Sequence, residues 1–226
     1  MPFDISFRTP FNCLVAGASG TGKTTWVRNL LKLRNHIFSS PPERVIWFYA
    51  KHQQIYDEMK RDGLVDDFIN VNSDFPTSDS ITDIVSKYKE GNGSLIIFDD
   101  ILTDITSDFV KMFCNTSHHE NASMIFLTQN LMYQNKHFRT MSLNCHYIVL
   151  MKNERAIQQV SFLSRQLCPE NIPYIIQAYT QATKTKPYSY LIIDLRSDTK
   201  KEVRLRSRIF PNEFPTRVYQ EVPLLK

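Results

Sequence analysis

Residues 17–24 read Gly-Ala-Ser-Gly-Thr-Gly-Lys-Thr, which satisfies the spacing GxxxxGK[ST]. An apolar run, FNCLVAG (11–17), precedes it, and a helix-forming stretch (22–33) follows. That context gives the motif its chemistry. Glycines let the backbone curl so that successive N–H groups point inward at an anion. The following helix adds the partial positive charge of its N-terminus. Gly17, Ala18, Ser19, Gly20, Thr21 and Gly22 therefore read as a cradle for the phosphates of a nucleoside triphosphate. Lys23 can reach the β- and γ-phosphates as a point charge, and the Thr24 hydroxyl can ligate Mg²⁺. Thr25 and Trp26 follow as helix packing or as contacts on the base side.

Such a site needs a carboxylate near the metal. Asp99 ends the apolar run SLIIFDD (94–100), so it belongs at the C-terminal tip of a buried parallel strand, where it can hold Mg²⁺. Asp100 follows. An acid at this position can orient and deprotonate an attacking water, although aspartate is one methylene shorter than the more usual glutamate. Asp104 and Asp108 read as an exposed loop acid and a first-turn helix acid. A second apolar run, ASMIFLTQN (122–130), ends in amide and hydroxyl side chains. Placed between the phosphate-loop strand and the acidic strand, its tip faces a γ-phosphate, and Gln129 can sense that group or position the water. Arg139 and Arg155 lie further along the chain. Each reads either as a surface arginine or as a finger reaching a neighbouring subunit's γ-phosphate.

These residues need rigid elements to hold them. Apolar runs at 11–17, 44–50, 67–72, 94–100, 122–130 and 145–151 alternate with helical patterns at 22–33, 52–63, 78–90 and 107–119. A loop or short helix spans 131–142. Helices follow around 154–167 and at 170–182, the latter open to interruption at Pro173. Alternation of this kind predicts an α/β domain with a mostly parallel sheet between helices. SYLIIDL (189–195) and EVRLRSRIF (202–210) flank a polar turn and read as a C-terminal β-hairpin outside the parallel core. The proline-bearing tail, 211–226, reads as irregular. The expected organisation is a core at 1–183 and a basic hairpin and tail at 184–226, packed on the same domain.

The chain has 226 residues, with 42% hydrophobic and 22% charged, which suits a folded domain and argues against disorder. No apolar stretch approaches a membrane span, and no signal peptide opens the chain. Four cysteines far apart argue against a disulfide framework or a structural zinc site, and favour a reducing compartment. The net charge of +4 is unevenly spread: +5 over 1–56, −9 over 57–108 and +8 over 109–226. Such blocks are either solvated faces or the means of head-to-tail stacking and polyanion binding. Lys200, Lys201, Arg204, Arg206 and Arg208 are the candidate phosphate contacts. Alternation would put the three arginines on one strand face.

The acidic strand, the Gln-tipped strand and the segment RTMSLNCHYIVLMKNERAIQQVSFLSRQLCP together resemble the viral genome-packaging ATPases of the FtsK–HerA superfamily, in the poxvirus-like and Polinton/adintovirus-like group. The stretch QAYTQATKTKPYSYLIIDL is similar to that group's C-terminal half, so the resemblance covers roughly 10–210. It implies a RecA-like P-loop fold of the additional-strand type. It also implies ATP hydrolysis with Mg²⁺, coupled to moving double-stranded DNA into a preformed capsid. The expected assembly is a homo-oligomeric ring, pentamer or hexamer, docked on a capsid vertex or portal protein. The expected place is inside the host cell, in a virus factory or the nucleus, or in the virion. Family roles carry onto Lys23 and Thr24, Asp99, Asp100 and Gln129. Where the family often has Asn-Pro-Arg-Asp, this chain has Asn153-Glu154-Arg155-Ala156, which loses the acid beside the arginine. Three alternatives stay open from the residues alone: a nucleoside or nucleotide kinase, a non-hydrolysing nucleotide switch, and a DNA pump or helicase not tied to packaging.

Overall fold

Strands rich in Ile, Val, Leu and Phe with no polar alternation must be covered on both faces, and that sets the architecture. The computed structural model describes residues 4–71, 77–101, 106–130, 136–184 and 186–221. The chain runs β1 (Asn12–Ala16), α1 (Lys23–Lys32), α2 (Arg34–Ile37), β2 (Arg44–Tyr49), α3 (Gln54–Arg61), β3 (Asp67–Asn70), α4 (Ser78–Val85) and β4 (Ser94–Asp99). It continues through α5 (Ser107–His119), β5 (Ala122–Thr128), α6 (Lys136–Leu143), β6 (Tyr147–Met151), α7 (Ile157–Leu167) and α8 (Ile172–Thr183). It finishes with β7 (Tyr190–Asp194), β8 (Leu205–Ser207) and β9 (Arg217–Val218).

Among the described residues, nine strands form one sheet in the order β3-β2-β4-β5-β1-β6-β7-β8-β9. The strands from β3 to β6 in that order are mutually parallel, and β7, β8 and β9 continue antiparallel. Successive strand residues point to opposite faces, so the sheet feeds two cores. Leu14, Ile96, Phe98, Phe126 and Ile148 pack on one side with residues of α4, α5, α7 and α8. Val15, Trp47, Ile97, Ile125 and Val149 pack on the other with residues of α1 and α3. The Gln-tipped strand β5 lies between β1 and β4, as its sequence position predicts for an added central strand.

The C-terminal third departs from expectation in two ways. Pro173 does not interrupt a helix; it sits in the first turn of α8, where its missing N–H has no helical partner to lose. The hairpin is antiparallel and lies outside the parallel strands, with β7 pairing with β6 to extend the same sheet. Part of the tail is ordered too: β9 pairs with β8, and Tyr219 is buried. The four cysteines are free thiols, with Cys13 and Cys145 buried. Asp104 lies outside the described residues, and Asp108 is an exposed acid in the first turn of α5. No helix among the described residues is long and apolar enough to cross a membrane.

Candidate nucleotide site at the carboxyl edge of the sheet

The chain leaves β1 at Ala16 and enters α1 at Lys23, and the six intervening residues form a closed loop. The Gly17 N–H donates to the Thr128 carbonyl at 3.0 Å, tying the loop to the tip of β5. The Thr21 hydroxyl donates to the Ala18 carbonyl at 2.8 Å and tightens the turn. Gly20 and Gly22 have φ of 76° and 90°, in the left-handed region that glycine enters without steric cost. Gly22 precedes α1 and supplies no side-chain cap, so the helix's first N–H groups face the loop's interior as anion donors. Lys23 is buried and donates from Nζ to the carbonyls of Gly17 (2.7 Å) and Ala18 (3.2 Å). Burial lowers its pKa, with Asp99 and Asp100 opposing that shift.

Asp99 ends β4, only 3% exposed. Its Oδ2 accepts from the Thr24 hydroxyl at 3.1 Å and from the Tyr56 hydroxyl at 2.9 Å. Burial raises the Asp99 pKa, while the hydrogen bonds from Tyr56 and Thr24 and the charge of Lys23 act in the opposite sense. Burial and the adjacent carboxylate push the Tyr56 phenol well above its ordinary value. Gln53 Nε2 donates to the Tyr56 oxygen at 3.0 Å, completing a chain from α3 to the acidic strand. Thr24 and Asp99 thus present hard oxygen donors 3.1 Å apart. That donor set fits Mg²⁺, which binds few carboxylates and completes its shell with phosphate and water.

Asp100 turns out of the strand at φ 58°. Gln129, the first residue past β5, donates from Nε2 to both oxygens of Asp100, at 2.9 and 2.8 Å. The neighbouring strand tips therefore join the two side chains assigned to the water. Thr128 is buried, and its hydroxyl donates to the Asn130 carbonyl at 3.0 Å, so it serves the local turn. A cavity of about 430 Å³ opens above these tips, bounded by the phosphate loop, Asp99, Asp100 and Gln129. A cleft of about 510 Å³ lies elsewhere, between Tyr174, Ile193, Arg204 and Gln220, and includes none of these residues.

The fold gathers Gly17 to Thr24, Asp99, Asp100 and Gln129 at one edge. Thr25 lines the same cavity, whereas Trp26 is core, packed edge-on against Phe7, Tyr190 and Phe210. Arg139 and Arg155 are exposed and line no part of that cavity. The arginine alternation is overturned. β8 spans only Leu205–Ser207, Arg204 has helical backbone and Arg208 turns at φ 60°, so the three do not share a strand face. Arg206 is 1% exposed and bonds Asp194 Oδ2 at 2.9 Å, so it is withdrawn from any polyanion surface. Sequence reasoning missed Tyr56 and Gln53. The signal was a tyrosine on the apolar face of α3, which packs its ring inward and carries its hydroxyl to Asp99.

The chain matches the family described as Poxvirus A32 protein over residues 4–194. No curated protein sequence matches it. Among solved structures, it is similar to the genome packaging NTPase B204 of Sulfolobus turreted icosahedral virus 2, in complex with ATP-gammaS. The TM-score is 0.55 at 11% identity, covering 93% of this chain and 97% of that one. The B204 DNA-packaging ATPase of Sulfolobus turreted icosahedral virus aligns with TM-score 0.50 at 11% identity, over 95% and 100%. The cytoplasmic domain of the Type VII secretion ATPase EccC of Thermomonospora curvata aligns with TM-score 0.54 at 13% identity, over 95% of this chain and 26% of that one. These likenesses fix the fold as a RecA-like P-loop ATPase core. The matched span contains the phosphate loop, both acidic tips and Gln129, and the chain belongs to the poxvirus A32 protein family, in agreement with the packaging-ATPase resemblance of its sequence.

Proposed function

We propose that the chain is an ATP-hydrolysing motor that drives double-stranded DNA into a preformed viral capsid. The observation that carries this is the convergence of Lys23, Thr24, Asp99, Asp100 and Gln129 around one cavity, in a member of the A32 family. The loop N–H groups and the start of α1 hold the phosphates of ATP. Lys23 leaves the Gly17 and Ala18 carbonyls and turns to the β- and γ-oxygens. Thr24 and Asp99 would hold Mg²⁺, which neutralises charge on those oxygens when bound. Tyr56 keeps the Asp99 carboxylate aimed at that position. Gln129 orients the attacking water beside Asp100. The water oxygen bonds to the γ-phosphorus as the bond to the ADP oxygen breaks, and the water's proton passes to Asp100. Gln129 also senses the γ-phosphate, since its amide stands at the strand tip against Asp100.

One of Arg139 and Arg155 serves as a finger in trans. Their exposure away from this chain's own cavity supports contact across a subunit boundary in a pentameric or hexameric ring. The basic C-terminal third supplies phosphate contacts to DNA through exposed residues such as Lys200 and Lys201, without Arg206. The ring docks on a capsid vertex or portal protein inside the infected cell. Family membership leaves the nucleoside-kinase alternative without support. The test is multiple-turnover ATP hydrolysis with and without double-stranded DNA, run beside a sizing measurement. DNA should raise turnover in a ring-sized species. Phosphate transfer to an added nucleoside, or turnover in a monomer indifferent to DNA, contradicts the reading.

A further inference from the structure

The hydrolytic groups all stand on one side of the phosphate loop. Asp99 ends β4 with Asp100 just beyond it, Gln129 follows β5, and both strands lie to the same side of β1. The γ-phosphate must face them, so the nucleoside end of the ligand leaves on the opposite side of β1. The sheet continues there through β6 to β7. Because β7 is antiparallel, Tyr190 at its start pairs with Met151 at the end of β6, and the segment entering β7 lies at the carboxyl edge. Tyr188 sits in that segment and lines the cavity together with Gly22, Lys23 and Thr25.

Tyr188 is unlike the other aromatic residues of the molecule in three respects. It is 64% exposed, the most exposed large hydrophobic side chain among the described residues. Its ring lies against the last glycine of the loop, where a Cβ on Gly22 would stand 3.0 Å from Tyr188 Cδ1. Its backbone has φ 60°, a conformation that a bulky non-glycine residue rarely adopts and that tends to persist at ligand sites. Of the four described non-glycine residues with positive φ, two border this cavity, Asp100 and Tyr188. An aromatic ring held open to solvent beside the nucleoside end of a triphosphate cradle has one evident use. We propose that Tyr188 is the stacking platform for the heterocyclic base of the nucleotide, and that Gly22 is required in part because a side chain there would displace the ring. Stacking accepts any base with a π-face, so this residue contributes affinity without choosing among bases by hydrogen bonds.

The proposal rests on the nucleotide-site reading, and the test separates the two. ATP and inorganic tripolyphosphate, which lacks base and sugar, are titrated by calorimetry into the wild-type chain, Tyr188→Ala and Tyr188→Phe. Wild type should bind both. Tyr188→Ala should weaken ATP by about tenfold and leave tripolyphosphate within about twofold, since base–aromatic stacking contributes on that scale. Tyr188→Phe, which keeps the ring, should bind ATP like wild type. Equal ATP affinity in wild type and Tyr188→Ala overturns the stacking role alone. Equal weakening of both ligands overturns it as well, and makes Tyr188 a support for the loop. A wild-type chain that binds neither ligand overturns the nucleotide site itself.

Discussion

Two clusters of paired charges sit on the same sheet and differ in what surrounds them. At the parallel centre, Lys23, Asp99, Asp100 and Gln129 ring a cavity and satisfy one another only through loop carbonyls, hydroxyls and an amide. At the antiparallel edge, Asp194 is enclosed. Its Oδ2 accepts from Arg206 Nη1 at 2.9 Å, and its Oδ1 accepts from the Thr199 hydroxyl at 2.9 Å and the Arg196 N–H at 3.2 Å. The Arg206 guanidinium lies over Phe7 and Tyr147, 6.0 and 5.9 Å from their ring centroids. Arg8 reaches the same corner through Asp198 and Thr199. The edge carboxylate is met by donors of its own chain, although Arg206 Nε and Nη2 find no partner there, while the central cluster is arranged around space for a ligand. Charge alone does not mark a binding site; charge that the fold leaves facing a cavity does.

Substitutions in the two clusters should differ in what they cost. In the central cluster, loss of a functional group should cost catalysis and spare the fold. Asp100→Asn should still bind ATP while hydrolysis falls by about 10²–10⁴-fold, the usual worth of a positioned general base. Unchanged turnover in a steady-state assay would remove Asp100 from the mechanism. In the edge cluster the cost should be to stability. Arg206→Ala leaves Asp194 buried without its ion-pair partner, which typically costs about 3–5 kcal/mol. For a domain of this size that lowers Tm by roughly 10 °C. Thermal unfolding checks it, and calorimetry should find ATP affinity unaltered in the folded fraction at low temperature.

The smallest effect has the opposite sign. Asp99 is held above its ordinary pKa by burial, so ionising it in the nucleotide-free chain opposes folding. A raised folded pKa gives stability that is fully present below the unfolded value. That stability is lost as pH rises through the folded value. Asp99→Asn removes the charge and keeps an oxygen to accept from Tyr56 and Thr24. It should therefore raise the Tm of the nucleotide-free chain near neutral pH, with the gain shrinking on acidification. It should also abolish Mg²⁺-dependent hydrolysis. A lower Tm at neutral pH would mean that the carboxylate is structural, like Asp194, and the contrast between the two clusters would fail.

Much of the centre was legible because its signals are local. Runs such as LIIF and MIFL are short, β-prone and bounded by polar residues, so they read as strands buried on both faces, and a phosphate loop between strand and helix fixes where the ligand lies. The placement of β5 between β1 and β4 followed from its likeness to the added central strand of P-loop ATPases, and the reading of Gln129 followed from that placement. The edge was less legible for a physical reason. Alternation distinguishes faces only when one face is wet, and every residue of β8 is buried, so Arg204, Arg206 and Arg208 gave a false pattern. Pro173 read as a breaker because sequence does not say which turn of a helix a residue will occupy. Tyr56 and Tyr188 were missed because tyrosine serves cores, hydrogen bonds and open ring faces alike. Only the fold brings one hydroxyl to Asp99 and the other ring to Gly22.

Whether the strand tips are built around a triphosphate is decided by a structure of the chain with Mg²⁺ and a slowly hydrolysed ATP analogue. The γ-phosphate should lie between Lys23 and Gln129, with Lys23 Nζ withdrawn from the Gly17 carbonyl and the metal against Thr24 and Asp99. An analogue seated elsewhere, or Lys23 still bonded to its own loop beside a bound nucleotide, would contradict that arrangement.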